Sequence, residues 1–468
     1  MSTRPNKKSS EELGQAPMGR LLLKMALPAS IGILVMSVNF IVDTIFIGRF
    51  VGSLGIAAIT VVLPISFLIS SIGMAIGIGG SSVVSRALGK GNRKKAEDTF
   101  GVMACMTILL AVTIVILGSF AQHPILQLFG GKGDIEAPAS AYFNILLTGI
   151  PCLAWAMMSN NVMRAQGSPR PAMLVMLTSA LTNIVLDTVF IAGFGWGLEG
   201  AAWATTISYY LAAGYTFWFF FLGPTELRLH WQTLTLRWKI VKEISSIGFV
   251  TLARQGTISV LSIVLNNSLF HHGGELAVAV YGVINRVMMF ANFPVLGITQ
   301  GFLPIAGYNY GAEKWKRVKE SITTSVKGGT AVAVVIFAGI MIFPKALVGL
   351  FSQDANLLSA TSPALVTAFL ATPLITTQLV GSAYFQAIGK SIPALLLTLT
   401  KQGFFLIPLI LVLPAFMGLK GIWWSFPIAD VMAATVTLLY LRREIIKRLN
   451  PLLKEAQGTE LPEMQAAG

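Results

Sequence analysis

The sequence predicts an all-α polytopic membrane protein, with twelve transmembrane helices in two pseudo-symmetric six-helix bundles. Three observations predict it. Apolar residues make up 54% of the 468 positions and charged residues only 12%, with a mean hydropathy of +0.72; a soluble domain carries roughly a quarter charged residues. The charges are also bunched: no Asp, Glu, Lys or Arg occurs from Phe50 to Ser85, Thr99 to Gly131, Ala137 to Met163 or Ala355 to Gly389. Finally, the chain repeats itself. GIPCLAWAMMSNNVMRAQGSPRPA around Pro151 returns 222 positions later as ATPLITTQLVGSAYFQAIGKSIPA around Pro373. Pro151, Gly167, Pro171 and Ala172 thereby fall on Pro373, Gly389, Pro393 and Ala394, and Gly89 with its basic run falls on Gly311 with its own. At an offset of 221, Gly197-Leu198-Glu199-Gly200 falls on Gly418-Leu419-Lys420-Gly421. Such a period is too long for a solenoid; a duplicated half in a membrane chain is the architecture of transporters.

Backbone groups inside lipid must bond within their own segment, so long apolar runs imply helices of about 20 residues or more. The short alternating segments of a β-barrel are absent. Taken in order, the apolar runs predict spans at 20–48, 54–82, 97–121, 137–165, 169–193 and 198–222, then 244–270, 276–306, 318–350, 358–387, 391–416 and 420–443. This gives an N-lobe (20–222), an inter-lobe linker (223–243) and a C-lobe (244–443), with tails at 1–19 and 444–468. The cation-rich loops Arg86 to Lys95, Arg164 to Arg170, Arg228 to Lys242 and Lys314 to Lys319, with Lys390, all fall on one side under this count. By the positive-inside rule that side is cytoplasmic, and both termini lie there. The expected location is a prokaryotic cytoplasmic membrane.

The net charge of +14 is therefore topological, held in short loops with no folded domain to offer to nucleic acid. The first sixteen residues lack the layout of a cleaved signal peptide. Cys105 and Cys152 lie in apolar spans and offer neither a disulfide framework nor metal spacing; no metal site or cofactor is expected. Phosphate loops, nucleophile elbows and zinc-protease motifs are missing, so an enzyme is not expected and any pumping must draw on an ion gradient. Gly73-x-x-x-Gly77 and Gly77-x-Gly79-Gly80 sit inside an apolar span, where small residues permit close helix packing.

Charges left inside spans are Asp43, Asp187, Arg254, Arg286, Lys401 and Asp430. Ionisable groups at depth are costly and suggest function. The two first-half acids share a context, Asn39-Phe-Ile-Val-Asp43 and Asn183-Ile-Val-Leu-Asp187. Four residues make about one helical turn, so each Asn shares a face with its Asp, and Thr205-Thr206 enter the sixth span near the same depth. Two carboxylates in one dry pocket cannot both ionise cheaply. The pair suits a proton, or with the amide and hydroxyl oxygens a small cation; the bland alternative is that each Asp merely bonds a neighbouring helix. In the repeat, Leu261, Leu265, Phe405 and Leu409 stand opposite Asn39, Asp43, Asn183 and Asp187, so the acidic pocket belongs to the first half alone. Lys401 and Asp430 can pair across the last two spans; a structural ion pair and a substrate contact both remain open there. Met157, with Met74, Met158, Met288, Met289 and abundant Phe, suits an adaptable cavity or ordinary packing.

The two-times-six plan, VDTIFIGR in the first span, NIVLD in the fifth and QGFLPIAGYNYGA in the eighth resemble the multidrug and toxic compound extrusion (MATE) family. The likeness covers essentially the whole chain except its tails; the N-lobe is most similar to the DinF-type and archaeal branch and the eighth span to MepA-type pumps. The resemblance implies an alternating-access antiporter that exports amphipathic, often cationic compounds in exchange for H⁺ or Na⁺; a monomer is expected. It makes Asp43 the principal coupling acid, with Asp187, Asn183 and Thr205 as its network partners and Na⁺ an alternative occupant; the shared spacing adds Asn39 to this set. The resemblance assigns Tyr142 and Asn160 to the cavity and makes Pro28 a bending point; a helix-interior proline lacks a donor and favours a kink. From the residues alone, Met157, Arg254 and Arg286 are further candidates for substrate contact, a structural or gating role being the alternative for the two arginines. The second-half acids of the NorM-type branch are missing here. The runner-up is a flippase for a lipid-linked saccharide, which would need a strongly cationic cavity built from Arg254, Arg286 and Lys401.

Overall fold

The computed structural model describes residues 9–351 and 354–456; the outer parts of both expected tails, including the termini placed in the cytoplasm, lie outside the described residues. The described chain is helical throughout, with no strand. The first half forms α1 (Met18–Phe50), α2 (Ser53–Gly89), α3 (Arg93–Phe120), α4 (Glu136–Ala165), α5 (Pro169–Asp187, continued by a wider turn over Thr188–Gly193) and α6 (Gly197–Phe221). A single helical run, Trp238–Gly311, changes direction at Gly274 (φ 63°, ψ −160°), which divides it into α7 (238–273) and α8 (275–311). Then follow α9 (Trp315–Ile342), α10 (Ala355–Ala368 and Thr372–Ala387, bent by 40°), α11 (Ser391–Met417) and α12 (Leu419–Glu444).

Nine of these runs are long and apolar enough to cross a membrane, or ten with the bent pair counted as one span. The divided run contributes two spans, and α6 completes the twelve; its Tyr, Trp, Thr and Gly residues lower its hydropathy without shortening it. Local chemistry sets several ends. Asn92 caps α3 by accepting from the Lys95 amide at 2.9 Å, and Asp354 caps α10 by accepting from Asn356 and Leu357. The run expected over 318–350 is interrupted after Ile342, because Pro344 has no N–H to continue the ladder and instead starts the short helix Pro344–Gly349.

The duplication is written in the backbone as well as the sequence. Positive φ recurs at Gly52 (85°) and Gly274 (63°), at Gly167 (82°) and Gly389 (81°), and at Gly197 (55°) and Gly418 (56°). Gly91 (φ 69°) has Glu313 (φ 57°) as its counterpart, the one non-glycine with positive φ among the described residues. Keeping the corner there costs Glu313 about 1 kcal/mol of steric strain. The short helices Gln122–Leu128 and Pro344–Gly349 occupy the same place in each half, after α3 and after α9.

Contacts divide the chain into two compact units. One holds the described residues up to Glu12 together with Pro28–Leu252; the other holds Leu13–Leu27 together with Ala253 onward. The divisions thus fall inside α1, at Pro28, and inside α7. Within the first unit α4 is central, packing against α2, α3, α5 and α6; within the second, the latter part of α10 packs against α9, α11 and α12. The chain before α1 is tied down in both. Ser10 donates from its amide (3.0 Å) and hydroxyl (2.7 Å) to Glu226 in the first unit. In the second, the Leu13, Gly14 and Ala16 carbonyls accept from Asn309 (2.9 Å), Lys314 (2.9 Å) and Arg317 (2.7 Å).

The glycines of α2 let three helices approach it closely. A Cβ on Gly73 would lie 3.4 Å from the Ala154 Cα, and one on Gly77 would lie 2.6 Å from Asn161 Nδ2, both on α4. A Cβ on Gly79 would run into the Ile244 carbonyl of α7, and one on Gly80 into the Met103 sulfur of α3. Backbone cannot yield as a side chain can, so Gly79→Ala should lower stability by about 1–3 kcal/mol. Gly214→Ala, at an α6 position with nothing within 4 Å, should be neutral or slightly stabilising. Thermal unfolding of the detergent-solubilised proteins compares the two, and an unchanged midpoint for Gly79→Ala would refute this packing.

Candidate functional site

Four helices of the first unit bring polar side chains to one place. Along α1, Asn39 and Asp43 are one turn apart; along α5, Asn183 and Asp187 are likewise. The Asp43 and Asp187 carboxyls lie beside each other. Asn183 Nδ2 donates to Thr205 Oγ1 on α6 at 3.2 Å. Tyr142 of α4 hydrogen-bonds Thr205 and lies within the field of both acids. Asp187, Asn183 and Tyr142 are buried, whereas Asp43, Asn39 and Thr205 are half-buried. Tyr209, which the sequence reading did not single out, also lies beside Asp43. Its signal was available: it stands one turn beyond Thr205 on the same helix.

The electrostatics are unusual for their lack of compensation. Asp43 Oδ1, both Asp187 oxygens and Asn39 Oδ1 are buried and accept no hydrogen bond among the described residues. No Lys, Arg or His among the described residues acts on the pair. A carboxylate is an acceptor only, so a bond between two carboxyls exists only when one carries a proton. Two bare carboxylates without donors would be far too costly to bury. Such a pair can take up a proton, or share a small cation with neighbouring oxygens. No group of three or more His, Cys, Asp or Glu able to hold a metal occurs among the described residues.

The remaining sequence candidates have their own surroundings. Asn160 is held at the end of α4, donating to the Ala172 carbonyl and accepting from Arg164. Half-buried Met157 accepts through its carbonyl from Asn161 at 2.9 Å. In the second unit, Arg254 is half-buried and Arg286 exposed. Lys401 is committed to Asp430 at 2.6 Å, so its charge is not free for the cationic cavity that a saccharide-lipid flippase needs. Pro28 lies within a continuous α1, at the point where the helix passes from one compact unit to the other.

In the second unit the positions equivalent to the acid cluster are filled with hydrocarbon. Leu261, Leu265, Phe405 and Leu409 belong to one apolar core with Phe426, 221 positions beyond Thr205. The polar contact of that unit lies elsewhere. Ser179 and Ser208 approach to 3.5 Å between α5 and α6; 222 positions on, Lys401 and Asp430 pair between α11 and α12. Removing one partner of a buried pair strands a charge, typically at 3–5 kcal/mol. Asp430→Leu or Lys401→Met alone should therefore lower the thermal midpoint markedly, while the double variant should recover most of the loss. A double variant as unstable as the worse single would mean that the pair itself is not what matters.

With this geometry in place, comparison with known proteins is informative. The MatE family profile matches residues 28–189 and 253–412. The chain is 29% identical over 435 residues to the multidrug export protein MepA of Staphylococcus saprophyticus, covering 90% of this chain and 94% of that one. It is 27% identical over 434 residues to the same-named protein of Staphylococcus aureus, covering 92% and 95%. Among solved structures, an outward-facing multidrug resistance MATE family transporter of the MOP superfamily superimposes with a TM-score of 0.89 at 25% identity, over 97% of this chain and 100% of that one. A Pyrococcus furiosus MOP superfamily transporter, described by the reverse polarity of its binding pocket, superimposes at 0.88 and 25% identity, over 96% and 99%. The two family matches fall one on each half of the internal repeat and together take in well over half of the residues, so the chain belongs to the MatE family.

Proposed function

We propose that this protein is a secondary antiporter of a prokaryotic cytoplasmic membrane, both termini cytoplasmic, that exports amphipathic, often cationic small molecules in exchange for H⁺. Export of drugs is supported by the relatives named multidrug export proteins. Coupling at Asp43 and Asp187 rests on one observation above all: a buried carboxyl pair with three oxygens lacking any donor and no basic residue in reach. Such a pair holds a proton in one state and bare negative charge in the other. The charged state attracts a cationic substrate; protonation from the far side cancels that attraction and releases it. Thr205, Asn183 and Tyr142 line the carboxyls with polar groups, and Tyr209 lies beside Asp43.

Na⁺ is the second reading, because Asn183, Thr205 and the four carboxylate oxygens are convergent. The Asn183 amide turns its nitrogen toward Thr205, which occupies the hydroxyl oxygen as an acceptor and favours H⁺. In proteoliposomes, an imposed pH difference alone should drive substrate movement and a Na⁺ difference alone should not; the opposite result would reverse the assignment of the ion. Asp43→Asn should reduce gradient-driven export to background while leaving the protein folded in the membrane, and Asp187→Asn should weaken it strongly. Normal export by well-expressed Asp43→Asn protein would remove the pair from the mechanism.

Coupling also requires that occupancy of the pair shift the balance between inward- and outward-open states, and a ligand shifts such a balance only by its differential affinity. α1 carries both Asp43 and Pro28, and the two compact units divide at that proline. A bend at Pro28 is the device by which the acid's charge is read, in an alternating-access cycle. Spin labels on the outer ends of the two bundles should give distance distributions that differ between low and high pH. Asp43→Asn should fix the low-pH distribution at every pH, and Pro28→Ala should blunt the response. Distributions indifferent to both pH and Asp43→Asn would exclude Asp43 as the trigger.

A further inference from the structure

The linker between α6 and α7 has a chemistry that the export reading leaves unused. From 227 to 242 it reads LRLHWQTLTLRWKIVK, with no acid and with cations at Arg228, Arg237, Lys239 and Lys242. It is not a slack connection. Gln166 Oε1 accepts from the Thr225 hydroxyl and the Leu227 amide, both at 3.1 Å. Arg237 pairs with Asp98, and Gly101 of α3 packs directly against the Thr233 carbonyl. The linker is thus pinned to the first unit at both ends and in the middle.

What it presents outward is apolar and cationic together. Trp231 is 89% exposed, Trp238 77% and Leu236 57%. Arg228, Lys239 and Lys242 are exposed and, unlike Arg237, bond to no described residue. Lys239 and Lys242 stand in the opening turns of α7, where the helix dipole favours acids and disfavours cations. Their placement therefore does nothing for the helix. Large exposed apolar side chains beside unpaired cations, on a rigid segment joining two membrane spans, match one surface: the headgroup layer, where Trp rings sit at the interface and Lys and Arg meet lipid phosphate.

We propose that the 227–242 linker is a docking surface for anionic phospholipid, with Trp231 and Trp238 seated at the interface and Arg228, Lys239 and Lys242 holding the headgroup phosphate. The charge pattern selects an anionic over a zwitterionic lipid, because the latter's ammonium repels the same three cations. The surface lies wholly within the first unit and is independent of the acid pair.

The test uses the full-length protein in phosphatidylcholine liposomes containing a small fraction of acyl-brominated lipid, which quenches nearby Trp emission. Brominated phosphatidylglycerol should quench more than brominated phosphatidylcholine at equal fraction. Trp231→Phe with Trp238→Phe should remove that excess, which locates the signal. Arg228→Gln with Lys239→Gln and Lys242→Gln should equalise the two lipids, as should raised salt, which screens exposed charges. Lys239→Gln alone, with its elution profile checked, should give a partial loss if the triple variant fails to fold. Equal quenching by the two lipids in the unaltered protein would overturn the proposal, as would an excess that survives in the triple variant or is undiminished in the single one. Inorganic phosphate should not compete; if it abolished the excess, the site would be one for a soluble anion. The readout is lipid contact rather than transport, so its failure and that of the coupling reading are separable.

Discussion

Inside hydrocarbon no water is present to bond an N–H or C=O, and this constraint shapes everything else in the chain. It forces each spanning segment into a helix and confines irregular backbone to a few sites: the corner at Gly274, the break in α10 and the wide turns at Thr188–Gly193 and Thr400–Leu406. It also removes the ordinary driving force for helix association, since lipid is as apolar as leucine. Packing then depends on close approach. The α2 glycines answer that need, each taking a different neighbour on α4, α7 or α3.

The same constraint explains how the halves can share a scaffold and differ in chemistry. Corners are conserved across the repeat even where the residue is not, as at Gly91 and Glu313. Side chains facing the bundle interior are free to diverge, because the backbone is already satisfied by its own helix. One half therefore carries Asn39, Asp43, Asn183, Asp187 and Thr205 where the other carries a leucine and phenylalanine core. The second half packs hydrocarbon at these positions; the first has two acids whose buried oxygens find no donor among the described residues.

The two buried acid sites show the contrast most directly. Asp430 has Lys401 at 2.6 Å, a pairing that settles its charge within the protein. Asp187 has only another acid beside it. A fold does not gain stability from such a pair; on the coupling reading proposed above, its compensation comes from outside, as a proton, a cation or a substrate. Charge left unsettled at depth is what a coupled transporter requires and what a structural protein avoids.

Composition, bunched charge and the 222-residue repeat by themselves determined the membrane class, the twelve helices and their approximate ends, because the hydrophobic requirement of a span is local and is read one segment at a time. They also isolated Asp43 and Asp187, since an acid in an apolar run is conspicuous without any structure. Only the tertiary structure decided which polar residues meet. Asn160 and Thr205 look alike in sequence, yet Asn160 is bonded to Ala172 and Arg164 while Thr205 joins the acid cluster. Tyr209 shares the face of Thr205 one turn on, a signal that a Tyr- and Trp-rich helix dilutes until its neighbours across the bundle are known. The division of α1 at Pro28 and the bonding of the chain before it likewise depend on contacts between residues hundreds of positions apart. Periodicity encodes which face a residue occupies; only helix packing decides what stands opposite that face.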